Sequence, residues 1–130
     1  MKIEQISLHH VRMPLVSAFE TSFGRQHERE CILILIRSEG LVGIGECVAD
    51  QTPGYCYETT GTAWHILKDF VAPLILGREL EDAAALQRCM EGIRGHQLAK
   101  AGVEMALWDL LGKRGGRSLR EMLGGVHEKV

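Results

Sequence analysis

What the chain lacks narrows it first. No apolar run approaches the roughly 20 residues that a bilayer crossing requires. The opening Met1-Lys2-Ile3-Glu4-Gln5 places an acid where a secretory leader would begin its apolar stretch, and no such stretch follows. A cytoplasmic protein without membrane contact is therefore expected. An excess of charge of one sign is also missing: the net charge is −2, which offers no electrostatic case for nucleic acid or anionic lipid. The four cysteines, Cys31, Cys47, Cys56 and Cys89, form no CxxC pair, and small disulfide scaffolds are denser in cysteine than this. Free, mostly buried thiols are the expectation. The six histidines show no HExxH or comparable spacing. His9 and His10 are neighbours in a strand-like run, so their rings point to opposite faces, and no structural metal site is expected.

What is present suits one domain with a real core: 130 residues, 45% hydrophobic and 25% charged. The first third reads as β. Ile3 to Met13 alternates near period two, and Pro14 is expected to end the strand by removing a ladder donor. Cys31 to Ile36 is a continuous apolar run rich in β-branched residues, the pattern of a strand covered on both faces. Ser38-Glu39-Gly40 supplies a turn, and Leu41 to Val48 returns as a third strand, so the three make an antiparallel meander. Gly43 and Gly45 lack the third glycine and the helix start of a dinucleotide loop. They point instead to close approach by another part of the chain. Glu46 either anchors a loop by hydrogen bonds or faces a site, and the structural role is favoured.

The remainder reads as helix. Thr59 to Val71 is expected to carry Ala63, Ile66, Leu67 and Phe70 inward and to stop before Pro73. Leu80 to Ile93 is a second helix, with Glu81 and Asp82 near its N-terminus. His96 to Lys113 is a third, apolar over so much of its circumference that it packs on more than one side. Gly115-Gly116 ends it, and Ser118 to Glu121 reads as a capping box opening a further turn of helix.

Two connections stand apart. Phe19-Glu20-Thr21-Ser22-Phe23-Gly24 follows no helical or strand period yet holds two large rings, which either tuck under the domain or form a binding surface. Ala49-Asp50-Gln51-Thr52-Pro53-Gly54-Tyr55 is a second irregular loop. Both flank the same hairpin, so they are placed to emerge at one end of the sheet.

The meander, the helices, the run Ala101-Gly102-Val103-Glu104-Met105-Ala106-Leu107-Trp108-Asp109 and Leu123-Gly124-Gly125 together resemble the N-terminal part of the enolase superfamily. Met13-Pro14-Leu15 followed by Phe19 to Gly24 resembles its o-succinylbenzoate synthase / N-acylamino acid racemase group. The resemblance implies an α+β capping domain over residues 1–95, helices linking cap to barrel over 96–125, and the start of a barrel at 126–130. It further implies a TIM barrel holding one Mg²⁺ on carboxylates, with two lysines that move the proton alpha to a substrate carboxylate through an ene-diolate. Such a barrel needs roughly 250 residues of its own. The family's Lys-x-Lys pair, metal carboxylates and second lysine have no matching positions here. Asp50, Asp69, Asp82 and Asp109 take no catalytic or metal role, and Lys100 and Lys113 read as solvated structural groups.

What carries over is the cap's share of the substrate pocket. Phe19, Ser22, Phe23 and Gly24 match the first lid loop, and Asp50, Pro53 and Tyr55 lie in the second, as walls that select shape and exclude water. Asp50 is out of place in an apolar wall: it faces solvent, pairs with a cation, or favours a more polar substrate. The expected partners are a small-molecule carboxylate, the barrel, and further copies of the chain in a homo-oligomer. The cap of a dipeptide epimerase or muconate cycloisomerase and a non-catalytic assembly module are the alternatives.

Overall fold

The computed structural model describes residues 1–22 and 24–126. Three antiparallel strands run in the order β1 (Gln5–Thr21), β2 (Gly24–Ser38) and β3 (Leu41–Cys47). The turn between β2 and β3 is the expected tight one, with Glu39 and Gly40 both at positive φ.

β1 is longer than its sequence indicates. It does not end at Pro14 but continues to Thr21, pairing Pro14 with Glu28 and then Phe19 with Gln26 and Thr21 with Gly24. Two features permit this. β1 is an edge strand, where a missing ladder donor can face away from the sheet. Leu15 to Ala18 also stand opposite His27 alone, so an irregularity absorbs the broken period. The first lid segment is thus the tip of a long hairpin rather than an unstructured loop. Phe23 lies outside the described residues, as do 127–130 of the expected barrel start.

Helices cover one face of the sheet. α1 (Thr60–Ile66) begins at Thr59, whose side chain and backbone form a reciprocal capping box with Thr62. It does not stop before Pro73. A π turn over Leu67–Val71 joins it to α2 (Ala72–Ile75), so Pro73 falls in the first turn of a new α segment, where a missing N–H costs no bond. The same change of period turns Phe70 outward, half exposed, whereas Ala63, Leu67, Val71 and Ile75 are buried. α3 is shorter than read, Ala83–Cys89, and Asp82 caps it by accepting from the Ala85 N–H at 2.7 Å. α4 (Gln97–Gly115) ends at Gly116 in the left-handed region, and α5 (Leu119–Met122) carries the expected Ser118–Glu121 capping box.

The core lies between Ile32, Ile34 and Ile36 of β2 and Ala99, Val103, Ala106, Leu107 and Leu110 of α4. At Gly43 and Gly45, β3 meets α4 without side chains of its own between them. A Cβ at Gly45 would stand 2.6 Å from the Ala106 nitrogen and closer still to the Gly102 carbonyl, and Gly43 meets Ala106 and Leu110 in the same way. The contact is locked by Asp109, which accepts from the Ile44 N–H at 2.8 Å and from Lys113, itself bonded to the Val42 carbonyl. Glu46 lies beside Cys31, and its carboxylate helps to push that thiol up. All four cysteines are free. Among the described residues no helix is long and apolar enough to cross a membrane.

Candidate substrate-facing cleft

The hairpin tip and the segment after β3 meet in one cleft of about 590 Å³. Phe19, Ser22 and Gly24 line it from the tip, and Asp50, Thr52, Gly54 and Tyr55 from the second segment. Pro53 is exposed and is not part of the lining. Val48 and Leu98 add apolar wall, while Arg25, Gln26, Arg29, Cys56 and Glu58 supply polar groups that sequence reading did not single out. Once β1 and β2 are known to extend to Thr21 and Gly24, Arg25, Gln26 and Arg29 fall on the hairpin that borders the cleft.

Asp50 is tied to the hairpin. Gln26 Nε2 donates to both of its carboxylate oxygens at 3.3 Å, and Arg29 Nη1 stands 3.9 Å from Oδ1. The cation partner is therefore the outcome among the three left open for this residue. Its backbone carbonyl also accepts from the Thr60 N–H at 2.8 Å, and Thr60 Oγ1 donates to the Ala49 carbonyl at 2.8 Å. One residue thus joins the hairpin to the start of α1.

Glu58 fastens the other end of the segment. It is 2% exposed, and its two oxygens accept from the Leu98 N–H at 2.9 Å and the Ala99 N–H at 3.2 Å. Those amides belong to the open first turn of α4, whose preceding residue His96 adopts φ 54° and offers no side-chain cap. A buried carboxylate is tolerable there because unsatisfied amides and the helix dipole both favour negative charge. Tyr57 reinforces the join, its hydroxyl accepting from the His96 N–H at 3.2 Å. Between these two anchors, residues 51–55 are exposed.

Size alone does not select this cleft. A hollow of about 650 Å³ lies between α3 and α4, but Gln87, Arg88, Glu91, Lys100 and Glu104 make it a solvated helix groove. The cleft at the sheet end is where two lid segments converge on aromatic and apolar walls, half-exposed Phe19 and open Tyr55 among them.

The cleft can select shape and charge and exclude water. Its acids do not suit Mg²⁺: Asp50 is shared by Gln26 and Arg29, Glu58 is committed to two amides, and no group of three potential ligands occurs among the described residues. Elsewhere, burial and the adjacent Glu46 carboxylate push the Cys31 thiol up, and burial does the same for Cys47. Neither is poised as a nucleophile.

A three-stranded meander covered by helices, with two lid segments at one end, defines a cap-type domain. Residues 3–124 match the family model of the mandelate racemase / muconate lactonizing enzyme N-terminal domain, and the chain belongs to that family, in the o-succinylbenzoate synthase / N-acylamino acid racemase group. It is 42% identical to an N-succinylamino acid racemase of Thermus thermophilus and 39% identical to an o-succinylbenzoate synthase of Bacillus subtilis. Each match takes in 100% of this chain and 35% of the relative, so the chain spans about a third of the relatives' length. Among solved structures, an enolase superfamily member from Listeria innocua superposes with a TM-score of 0.91 at 34% identity, over 97% of this chain and 34% of that one. A muconate lactonizing enzyme from Pseudomonas fluorescens, complexed with muconolactone, gives 0.88 at 32% identity over 95% and 34%.

Proposed function

We propose that this chain is the substrate-selecting lid of a larger o-succinylbenzoate synthase or N-acylamino acid racemase. The observation that carries the reading is the convergence of Phe19, Ser22, Asp50 and Tyr55 on one cleft, in a domain similar along its whole length to enzymes of both names. Residues 1–95 act as the cap and 96–125 as the link to the barrel. The barrel supplies what the cleft does not: Mg²⁺ and the lysines that move the proton alpha to the substrate carboxylate. The cap's own part is to bind the substrate's variable end and keep water out while that proton moves.

The substrate is a small carboxylate carrying an acyl or aryl body. A succinyl group is common to the names of both kinds of relative. In the full-length enzyme, Phe19→Ala is expected to lower kcat/KM for substrates with apolar side chains by about tenfold, the value of losing part of one buried ring. Its unfolding midpoint should not move, because Phe19 is 56% exposed. Unchanged kinetics would remove the lid role from this residue.

A second reading has its own support in the likeness to muconate lactonizing enzymes and in 35% identity to a chloromuconate cycloisomerase of Cupriavidus pinatubonensis. Assaying the full-length protein with muconate beside an N-succinyl amino acid decides between them.

A further inference from the structure

We propose that Arg25 makes the mouth of the cleft a carboxylate subsite, holding the far-end carboxylate of a substrate whose apolar body lies along Phe19, Val48 and Leu98. The inference rests on the substrate reading above and specifies one part of it.

The charges around the cleft are unevenly committed. Four ionisable side chains of fixed sign line it: Arg25, Arg29, Asp50 and Glu58. Glu58 is buried and spends both oxygens on the α4 amides. Asp50 is held by Gln26 and faces Arg29. Arg25 has no hydrogen-bond or ion-pair partner among the described residues, although Glu20 stands opposite it in the β1–β2 ladder. With the other three charges committed to contacts within the cap, the lining retains one uncommitted cation among the described residues, on the exposed rim of a hollow that also offers the apolar surfaces of Phe19, Val48 and Leu98.

That arrangement matches an amphipathic anion. The guanidinium fork meets a carboxylate with two parallel N–H donors, a geometry an ammonium cannot offer. In open water such a contact is weak, but a body lying along the walls and a lid closed over it lower the local dielectric. A succinyl chain fits this description: two methylenes ending in a carboxylate, remote from the carboxylate beside the reacting carbon. Arg29 is less suited, since drawing it toward a ligand would leave Asp50 with Gln26 alone.

The test uses the full-length enzyme and two substrates built on the same amino acid, one N-succinylated and one N-propanoylated, which differ by the terminal carboxylate. Arg25→Met is expected to raise KM for the N-succinyl substrate by about tenfold, the lower range for one charge-assisted hydrogen bond, with kcat retained. The N-propanoyl substrate should change by less than about twofold. Arg25→Lys should recover part of the loss, and added salt should raise the parent's KM for the N-succinyl substrate more than the variant's. An equal change for both substrates, or none for the N-succinyl one, overturns the subsite. A parent enzyme that turns over neither substrate overturns the activity reading instead. Calorimetric titration with N-succinylglycine and N-propanoylglycine then still decides the subsite, which is lost if Arg25→Met binds both as the parent does.

Discussion

Gly43 and Gly45 contribute by having no side chain, because their absence sets the separation of β3 and α4. Atoms of the Gly102, Ala106 and Leu110 backbone occupy the space that a Cβ would need. A neighbouring backbone cannot swing aside as a long side chain can, so the whole helix must shift to admit one methyl group. Gly45→Ala is expected to cost about 3 kcal/mol, the upper range for overpacking, measured by denaturant unfolding. A loss below about 1 kcal/mol would show that α4 yields freely. Glu58 works at the same scale by a different means. It substitutes for a missing helix cap from 40 residues away, giving Leu98 the bond that His96 does not supply. Asp50 likewise serves position rather than acidity, since its partners lie on β2 and α1.

At the scale of elements, the departures from simple pattern are where the chain does something specific. β1 runs past a proline and an irregularity to place Phe19 and Thr21 at the hairpin tip. The π turn at Leu67–Val71 carries the helix past Pro73 and keeps Val71 and Ile75 in the core. α5 is a single turn with no buried residue, so it depends on its cap. There the Ser118 backbone N–H, and then its hydroxyl, hold the Glu121 carboxyl below the ordinary glutamate range. Because folding lowers this pKa, the cap's contribution is complete above the unfolded value and is lost as the pH falls through the lowered one. An NMR titration should place the Glu121 midpoint below that of a glutamate in an unfolded peptide, with α5 fraying as the carboxyl protonates. A midpoint at or above the peptide value would deny the capping box its role in solution.

At the scale of the molecule, the side of α4 that carries Met105 and Trp108 is left partly open among the described residues. Met105 is 47% exposed, Ile44 51%, Leu119 51% and Leu123 65%, and with Trp108 they line one groove of about 590 Å³. A contiguous apolar groove of this kind marks an association surface. The isolated 130-residue chain is therefore expected to self-associate with little sensitivity to salt, and Met105→Lys to weaken that association. Sedimentation showing a monomer at every concentration for the parent chain would refute the expectation. In the proposed enzyme the same groove is left for the remainder of the protein, beyond the third of the relatives' length that this chain spans.

Local pattern was enough for the elements whose signal is local. The apolar β2 run, the Glu39-Gly40 turn, the Ser118 capping box and the close approach at Gly43 and Gly45 all follow from residue types at short range. So did the placing of two irregular segments at one end of the sheet. Where a distant partner set the outcome, pattern misled or was silent. Pro14 and Pro73 read as stops, because a sequence shows the missing donor but not that the strand is an edge or that the turn has widened. The side-chain partners of Asp50 and Glu58, 21 to 41 positions away, were invisible because burial and hydrogen bonding across the chain depend on packing rather than on spacing. The sequence by itself determined a meander, its covering helices and the family they belong to. Only the tertiary structure decided which charges are committed within the cap and that Arg25 is left without a partner among the described residues. A side chain's charge is written in its type, whereas its availability depends on what folding brings within reach.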